Sequence, residues 1–217
     1  MYVSVAVMDT GIFRHMDFDT RIAGFADFVG RKKYLYDDNG HGTHVAGIIA
    51  GSGKGSNGKY RGIAPDTFLV SVKVLDKSGN GKIENVVEAA GWIIENKSAM
   101  NIRVVNISFG TRAKMENGPA IETGEDDYAL IMAVEKMWDS GIVVVAAAGN
   151  NGPGNTSVTA PGISKKIITV GAFDDKNFFS GRGPTRECIV KPEVVVTGSN
   201  IIAVSYTHLR AHETELH

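Results

Sequence analysis

The sequence has 217 residues, 43% of them hydrophobic and 22% charged, which is the length and apolar content of one globular domain with a sizeable core. A formal net charge of -1 provides no basic surface for phosphate groups or anionic lipids, and no apolar run approaches the roughly 20 residues that cross a bilayer, so neither nucleic acid nor a membrane is expected as a partner. A single cysteine, Cys188, excludes an internal disulfide framework and leaves the compartment open between cytoplasm and secretion.

Short apolar runs predict the strands of a mostly parallel sheet, because strands that are buried on both faces are hydrophobic along their whole length. In chain order these runs are 3–8, 67–74, 102–107, 142–147 and 166–170. Between them, 83–95 and 126–139 carry apolar residues at helical spacing and are predicted to be crossover helices. The polar stretch 111–124 is predicted to be an insertion between a strand and a helix. The alternation of strands and helices predicts an α/β fold.

Three segments carry residues with catalytic potential, and two of them follow predicted strands. Asp9 ends the first strand, His41 lies between two glycines ahead of apolar positions that suit a helix, and Asn150 follows the strand 142–147 in a glycine-rich turn. A buried Asp can hold one ring nitrogen of a His, which leaves the other nitrogen free as a general base. The amide N–H of an Asn in such a turn can bind a developing oxyanion.

Each segment taken alone has a simpler interpretation. Asp-Thr-Gly after a strand is often only a turn, in which the Asp accepts backbone hydrogen bonds. His41 and His44 are spaced like half of a metal site, but no supporting Cys, His or carboxylate pattern accompanies them, so His44 is expected to pack within a helix and no metal ligands are predicted. Asn150 is equally compatible with a tight turn at positive φ.

The joint presence of these segments in this order resembles the subtilisin-like serine proteases, the subtilase or peptidase S8 family. The segments that carry the resemblance are 9–11, 41–47, 62–65, 72–75, 106–110, 147–150, 179–184 and 191–193. The resemblance extends from about residue 3 to about residue 203, and it implies a three-layer, doubly wound, mostly parallel sheet with helices on both faces. It also implies a serine endopeptidase that acts through an Asp-His-Ser triad and an acyl-enzyme. In that family pattern Asp9 would orient His41, His41 would transfer the proton, and Asn150 would belong to the oxyanion hole.

The same resemblance implies how a peptide or protein substrate would bind. Family members pair an extended peptide with two backbone segments, which are matched here by Gly79-Asn80-Gly81 and Ser108-Phe109-Gly110. Ala147 and Gly149 match the walls of the pocket for the side chain before the scissile bond, and their small size leaves space for a large apolar group. For Phe109, ordinary core packing is an equally good interpretation. A propeptide is a further expected partner.

No cofactor is required for the expected chemistry, and a structural calcium ion is left open. Asp17 aligns loosely with one calcium ligand of the family, but the glycine-rich loop 51–59 shows no convincing set of oxygen ligands, and calcium takes 6 to 8 of them. The same loop lacks the glycine and lysine spacing of a phosphate-binding loop, which disfavours a doubly wound nucleotide-binding domain.

The sequence departs from the family pattern at its end. The family places its nucleophile in a Gly-Thr-Ser-Met-type segment some way after the strand matched by 194–196, and neither Ser199 nor Ser205 has that context. The residues 204–214 resemble the translation of a transposase-type sequencing-library adapter. We therefore expect an incomplete catalytic domain at 1–203, truncated before the nucleophile helix, and a non-native tail at 204–217.

This departure leaves two hypotheses for function. An enzyme completed by a serine outside this sequence would be active only as the intact protein, and the 217-residue chain would be inactive alone. The alternative is a non-catalytic homologue that binds peptides or regulates a partner. The joint presence of Asp9, His41 and Asn150 favours the enzyme, because a binding module has no chemical need for all three.

Overall fold

The computed structural model describes residues 2–111, 124–174, 176 and 179–204. The strands are β1 (Ser4–Asp9), β2 (Ile22–Asp27), β3 (Phe68–Lys73), β4 (Ile102–Ile107), β5 (Val143–Ala147), β6 (Ile168–Ala172) and β7 (Val194–Val196). The helices are α1 (His41–Ala50), α2 (Ile83–Asn96) and α3 (Glu125–Asp139), with one 3₁₀ turn at Lys54–Ser56. The chain divides into two compact units. Unit 1 takes in the described residues up to Lys82 together with 202–204, and unit 2 spans Ile83–Ile201.

Unit 1 contains parallel strands in the order β2-β3-β1. Strands β1 and β3 pair along their whole length, so that Asp9 lies beside Lys73 at the carboxyl ends of the two strands. Strand β2 pairs with the other side of β3, with one irregularity between Ile22 and Gly24. Every residue of β1 is buried, which explains why its sequence is apolar almost throughout.

Helix α1 packs against β1 and β3 and closes the core of unit 1. The buried members of this core are Val7, Ile12, Phe18, Ala46, Ala50, Leu69 and Val204. The helix lies close to the segment after residue 202, because a Cβ atom on Gly47 would stand 2.8 Å from the side chain of Val204. The glycine and alanine residues on the buried face of α1 therefore allow the helix to pack closely against the rest of the core.

Unit 2 contains parallel strands in the order β4-β5-β6-β7, and helix α3 packs against α2 and β5. Each helix buries one stripe of residues at the spacing that a helical face requires. In α2 the buried residues are Val86, Ala89, Ala90 and Ile93. In α3 they are Leu130, Ala133, Val134 and Met137.

The α/β fold class is confirmed, with parallel strands and helices in the order expected. The predicted strands and helices all occur, with ends that differ by one or two residues. Strand β2 was not predicted, because only Asp27 of its six residues is buried and Gly24 interrupts its pattern. Residues 112–123 of the predicted insertion lie outside the described residues. Within the described ranges, no helix has the length and apolarity needed to span a bilayer.

Candidate active site

Asp9 is the last residue of β1 and is completely buried. Its Oδ1 accepts a hydrogen bond of 2.7 Å from the backbone N–H of Thr10. A carboxylate in this position is held at the carboxyl end of a parallel strand, where α/β proteins place their functional side chains.

His41 is the first residue of α1, and its ring meets the carboxylate of Asp9. Its Nδ1 lies 2.8 Å from Oδ1 and 2.9 Å from Oδ2 of Asp9. An ionised carboxylate only accepts hydrogen bonds, so Nδ1 carries the proton in this pair. The side chain of His41 is 34% exposed whereas that of Asp9 is 0% exposed. The ring therefore lies between the buried carboxylate and solvent. This tautomer leaves Nε2 as the basic nitrogen.

The protein raises the pKa of His41 above its ordinary value. The hydrogen bond to Asp9 is the largest cause, because it favours the charged ring. Burial opposes the shift, and the negative charges of Asp9 and Asp37 reinforce it. The ring is therefore a stronger base than an isolated imidazole, which suits it to accept a proton.

Lys73 is a buried cation that lies beside Asp9 in the sheet, and the sequence analysis gave it no role. It is 1% exposed, and its Nζ donates to the backbone oxygen of Thr10 at 2.6 Å, to Oδ1 of Asp38 at 2.6 Å and to the backbone oxygen of Leu75 at 2.9 Å. The ammonium group also lies 4.9 Å from the centre of the Tyr36 ring. A lysine at the end of a mostly apolar strand was the signal that could have identified it, since buried lysines are almost always paired.

The predicted substrate segment at 79–81 is the exposed side of a short loop in unit 1. Leu75 and Gly81 form an antiparallel bridge that closes the loop. Within it, Oδ1 of Asp76 accepts from the backbone N–H groups of Ser78 at 2.8 Å and Asn80 at 3.0 Å. Gly79 has a φ of 76°, which favours glycine. The loop is therefore ordered by its own hydrogen bonds.

In unit 2, the predicted residues Gly110 and Gly149 both lie against Thr159. A Cβ atom on Gly110 would stand 2.6 Å from the Thr159 hydroxyl oxygen, and one on Gly149 would overlap the same atom. Only glycine fits at these two positions while Thr159 stays in place. Ser108 and Phe109 are half-buried and Ala147 is half-buried, so Phe109 is not a fully enclosed core residue. No motif in the sequence pointed to Thr159.

Asn150 follows β5 in unit 2 and is exposed. Gly149 before it has a φ of 88°, and the carbonyl oxygen of Gly149 accepts a hydrogen bond of 2.9 Å from the N–H of Gly181. The turn that carries Asn150 is thus fixed by backbone conformation and by a bond to a distant segment. Asp9 and His41 are in contact within unit 1, whereas Asn150 belongs to unit 2, and the catalytic roles of all three stay predictions.

Asp17, which the resemblance aligned loosely with a calcium ligand, is buried, and one oxygen of its carboxylate accepts a backbone hydrogen bond. Its Oδ1 accepts a hydrogen bond of 2.6 Å from the N–H of Gly55. The neighbouring carbonyl groups are used by the backbone as well: the acceptors are Gly51, Gly53, Lys54 and Ser56. Among the described residues, no group of three or more His, Cys, Asp or Glu side chains could hold a metal ion.

Comparison with known proteins places these features in a family. A family model described as the subtilase family matches residues 2–216. The chain is 44% identical over 216 residues to the serine protease AprX of Bacillus subtilis (strain 168), covering 93% of this chain and 47% of that protein. It is 37% identical over 210 residues to subtilisin DY of Bacillus licheniformis, covering 95% of this chain and 70% of that protein.

The solved structures agree with this placement. A crystal structure of a cold adapted subtilisin-like serine proteinase matches with a TM-score of 0.72 and 31% identity, over 93% of this chain and 64% of that one. A second match, named S41 psychrophilic protease, has a TM-score of 0.73 and 30% identity over 93% of this chain and 67% of that one. The chain spans about half of the length of AprX, so the activity of the whole protein does not follow from the match alone.

Proposed function

Because this chain belongs to the subtilase family, we propose that the protein it forms part of is a serine endopeptidase that hydrolyses peptide bonds. One observation carries the proposal more than any other. The buried carboxylate of Asp9 holds Nδ1 of His41 at 2.8 Å and 2.9 Å, which is the pairing that prepares an imidazole to take a proton from a nucleophile. The names of the relatives, which are serine proteases, support the same reaction class.

In the first half of the proposed reaction, a seryl hydroxyl passes its proton to Nε2 of His41 while its oxygen forms a bond to the carbonyl carbon of the substrate. Asp9 keeps Nδ1 protonated and stabilises the imidazolium that forms. The side-chain amide of Asn150 and a backbone N–H donate hydrogen bonds to the carbonyl oxygen as it becomes negative. The C–N bond then breaks, and the leaving amine takes the proton from Nε2.

In the second half, water replaces the amine. It gives a proton to Nε2 and bonds to the acyl carbon, the bond from that carbon to the seryl oxygen breaks, and the seryl oxygen regains the proton. His41 therefore returns to its starting state after each turnover. The raised pKa of His41 favours each step in which the ring holds an extra proton.

Substrate binding is proposed to use backbone groups. The exposed loop at 79–81 and the strand end at 108–110 are each proposed to pair with an extended peptide through their backbone groups. Ala147 and Gly149 are proposed to border the position of the side chain before the scissile bond. The substrate is thus a peptide or protein chain, and a propeptide is a further proposed partner.

The nucleophile is proposed to lie in a part of the protein that follows residue 203, because no serine in this sequence has the Gly-Thr-Ser-Met context of the family. On this proposal the 217-residue chain forms no acyl-enzyme. A fluorophosphonate probe, which reacts with activated serines, should label the protein expressed from the full reading frame and leave the 217-residue chain unlabelled. Labelling of the shorter chain would show that the nucleophile is one of its own serines.

The decisive experiment is a peptidase assay of the full reading frame with variants of the pair. Asp9→Asn should lower kcat by about 10⁴-fold, the loss that the same change causes in a chymotrypsin-type serine protease with the same triad. Asp66→Asn is a matched control, because it removes one exposed carboxylate elsewhere in unit 1. A full-length protein that binds peptides without cleaving them would instead establish the non-catalytic homologue.

A further inference from the structure

Asp37 is a buried carboxylate that the proposed reaction does not use. It is 6% exposed and lies in the loop before α1, where it forms an antiparallel bridge with Gly11. Its Oδ1 accepts from the Thr10 hydroxyl at 2.9 Å and from the backbone N–H groups of Asn39 at 3.0 Å and Gly40 at 2.9 Å. Its Oδ2 accepts from the N–H of Thr43 at 3.0 Å and from the hydroxyl of the same residue at 2.6 Å.

These contacts complete the first turn of α1. A helix leaves its first N–H groups without partners inside the helix, and a side chain at the N-cap usually supplies one. Here the N-cap is Gly40, which has no side chain. The N–H of His41 is instead accepted by Asn39 at 3.0 Å, and that of Thr43 by Asp37 at 3.0 Å. Asp37 therefore acts as a cap from outside the helix.

Thr10 links this cap to the catalytic pair. Its hydroxyl donates to Asp37 and accepts from the N–H of Gly42 at 3.0 Å, while its own N–H donates to Asp9 at 2.7 Å. A hydroxyl has a single proton, and an ionised carboxylate accepts only, so Asp37 dictates which way the Thr10 hydroxyl points. The lone pairs of the Thr10 hydroxyl are then available to accept the backbone N–H of Gly42, the residue directly after His41.

We propose that Asp37 is a positioning residue for the reaction: together with Thr10 it fixes the first turn of α1 to the end of β1 and so holds the ring of His41 against Asp9. The claim that this positioning serves catalysis rests on the proposed function. The positioning itself is a property of unit 1.

The charges around His41 make the effect of Asp37 measurable. Asp9 and Asp37 both raise the pKa of His41 through their negative charges. Three further ionisable groups lie near the first turn: Asp38, Lys73 and His44. Asp38 follows Asp37 and forms an ion pair with Lys73 at 2.6 Å. His44 lies in the next turn of α1 and is half-buried. Removing the charge of Asp37 while keeping its shape should therefore change the titration of His41 and leave the Asp38 ion pair in place.

The test is an NMR titration of the His41 ring in the 217-residue chain, in which ring nitrogen and proton shifts are followed against pH. In Asp37→Asn an amide NH2 group must face at least one of the five donors, so the cap is disrupted. We expect a lower titration midpoint for His41 and a weakened or lost Nδ1 proton signal from the bond to Asp9. Asp66→Asn, which removes a distant exposed charge, should leave both unchanged.

A milder pair of variants covers the case in which Asp37→Asn does not fold. Thr10→Val keeps the shape of the side chain and removes the hydroxyl, whereas Thr10→Ser keeps the hydroxyl. Loss of the His41 signal in the first variant with retention in the second supports the proposal. Unchanged His41 titration in folded Asp37→Asn or folded Thr10→Val overturns it, as does failure of both to fold while Thr10→Ser folds, since the network would then serve stability alone.

The outcome is independent of the proposed function. The titration is measured without substrate, so the His41 response would persist if the full-length protein proved unable to cleave peptides. Conversely, an active full-length Asp37→Asn enzyme with an unchanged acid limb of its pH profile would remove Asp37 from the mechanism and leave the peptidase assignment intact.

Discussion

Gly42 lies so close to Gly11 that a Cβ atom on Gly42 would overlap the carbonyl oxygen of Gly11 and stand 3.0 Å from Cβ of Asp9. The first turn of α1 is thus in direct backbone contact with the loop after β1. This contact brings His41 within hydrogen-bonding distance of Asp9, because any larger residue at 42 would separate the helix from the strand end.

The first prediction follows from this contact. Gly42→Ala should destabilise the chain by roughly 1–3 kcal/mol, the usual cost of overpacking, although alanine is favoured over glycine inside helices. The His41 ring should also move away from Asp9, which NMR titration would detect. Gly91→Ala is the matched control: it lies in α2 with nothing within 4 Å of the added Cβ, and it should stabilise by roughly 0.5–1 kcal/mol. Equal effects of the two substitutions on stability would refute the close contact.

The second prediction concerns pH. The pKa of His41 is raised above its unfolded value of 6.5, so the stabilisation from its bond to Asp9 is fully present below pH 6.5 and is lost as pH rises through the higher folded pKa. The wild-type chain should therefore lose stability relative to His41→Gln as pH increases above 6.5. Urea unfolding of both chains at several pH values measures this difference, and a constant difference would contradict the raised pKa.

The same shift has a consequence for activity. A general base must be unprotonated to accept a proton, so the acid limb of kcat/KM in the full-length protein should have its midpoint above pH 6.5. A pH profile with a chromogenic peptide checks this. A midpoint below the ordinary value for histidine would mean that the bond to Asp9 does not control the free enzyme.

The third prediction concerns calcium. Because the Asp17 carboxylate accepts the N–H of Gly55 and the nearby carbonyl groups are used by the backbone, we propose that the loop needs no metal ion. Thermal unfolding of the chain should be the same with EDTA and with millimolar Ca²⁺. Occupation of a real site at about 100 times its Kd would add about 2.7 kcal/mol, or roughly 5–10 °C in a domain of this size, so the two results are easily told apart.

The fourth prediction concerns the oxyanion. Asn150→Ala in the full-length protein should lower kcat by roughly 100-fold to 1,000-fold with little change in stability, since Asn150 is exposed. That magnitude is the one known for an oxyanion-hole asparagine in subtilisin itself and is not calculated from this structure. Asn155→Ala, an exposed asparagine of the same loop region, is the control and should retain activity. Similar rates for the two variants would exclude Asn150 from the oxyanion hole.

The amino-acid pattern was enough to predict the α/β class, the positions of most strands and helices, and the residues Asp9, His41 and Asn150 as candidates. Local periodicity encodes the strands and helices: a strand buried on both faces must be apolar throughout, and a packed helix must repeat its apolar residues every three or four positions. The three candidate residues came from their motifs and from the resemblance to the subtilases. Strand β2 was missed because a half-buried edge strand with an internal glycine has neither a continuous apolar run nor a regular alternation.

The groups that meet around Asp9 and His41 were visible only in the folded chain. Lys73 reaches the carbonyl oxygen of Thr10 across 63 positions of sequence, and Thr10 reaches Asp37 across 27. No local pattern states which buried donor will face which acceptor, because that depends on strand register and on how closely α1 packs on β1. The burial of polar groups makes each such contact obligatory once the fold has formed, and this is why the positioning role of Asp37 became visible in three dimensions and not in the sequence.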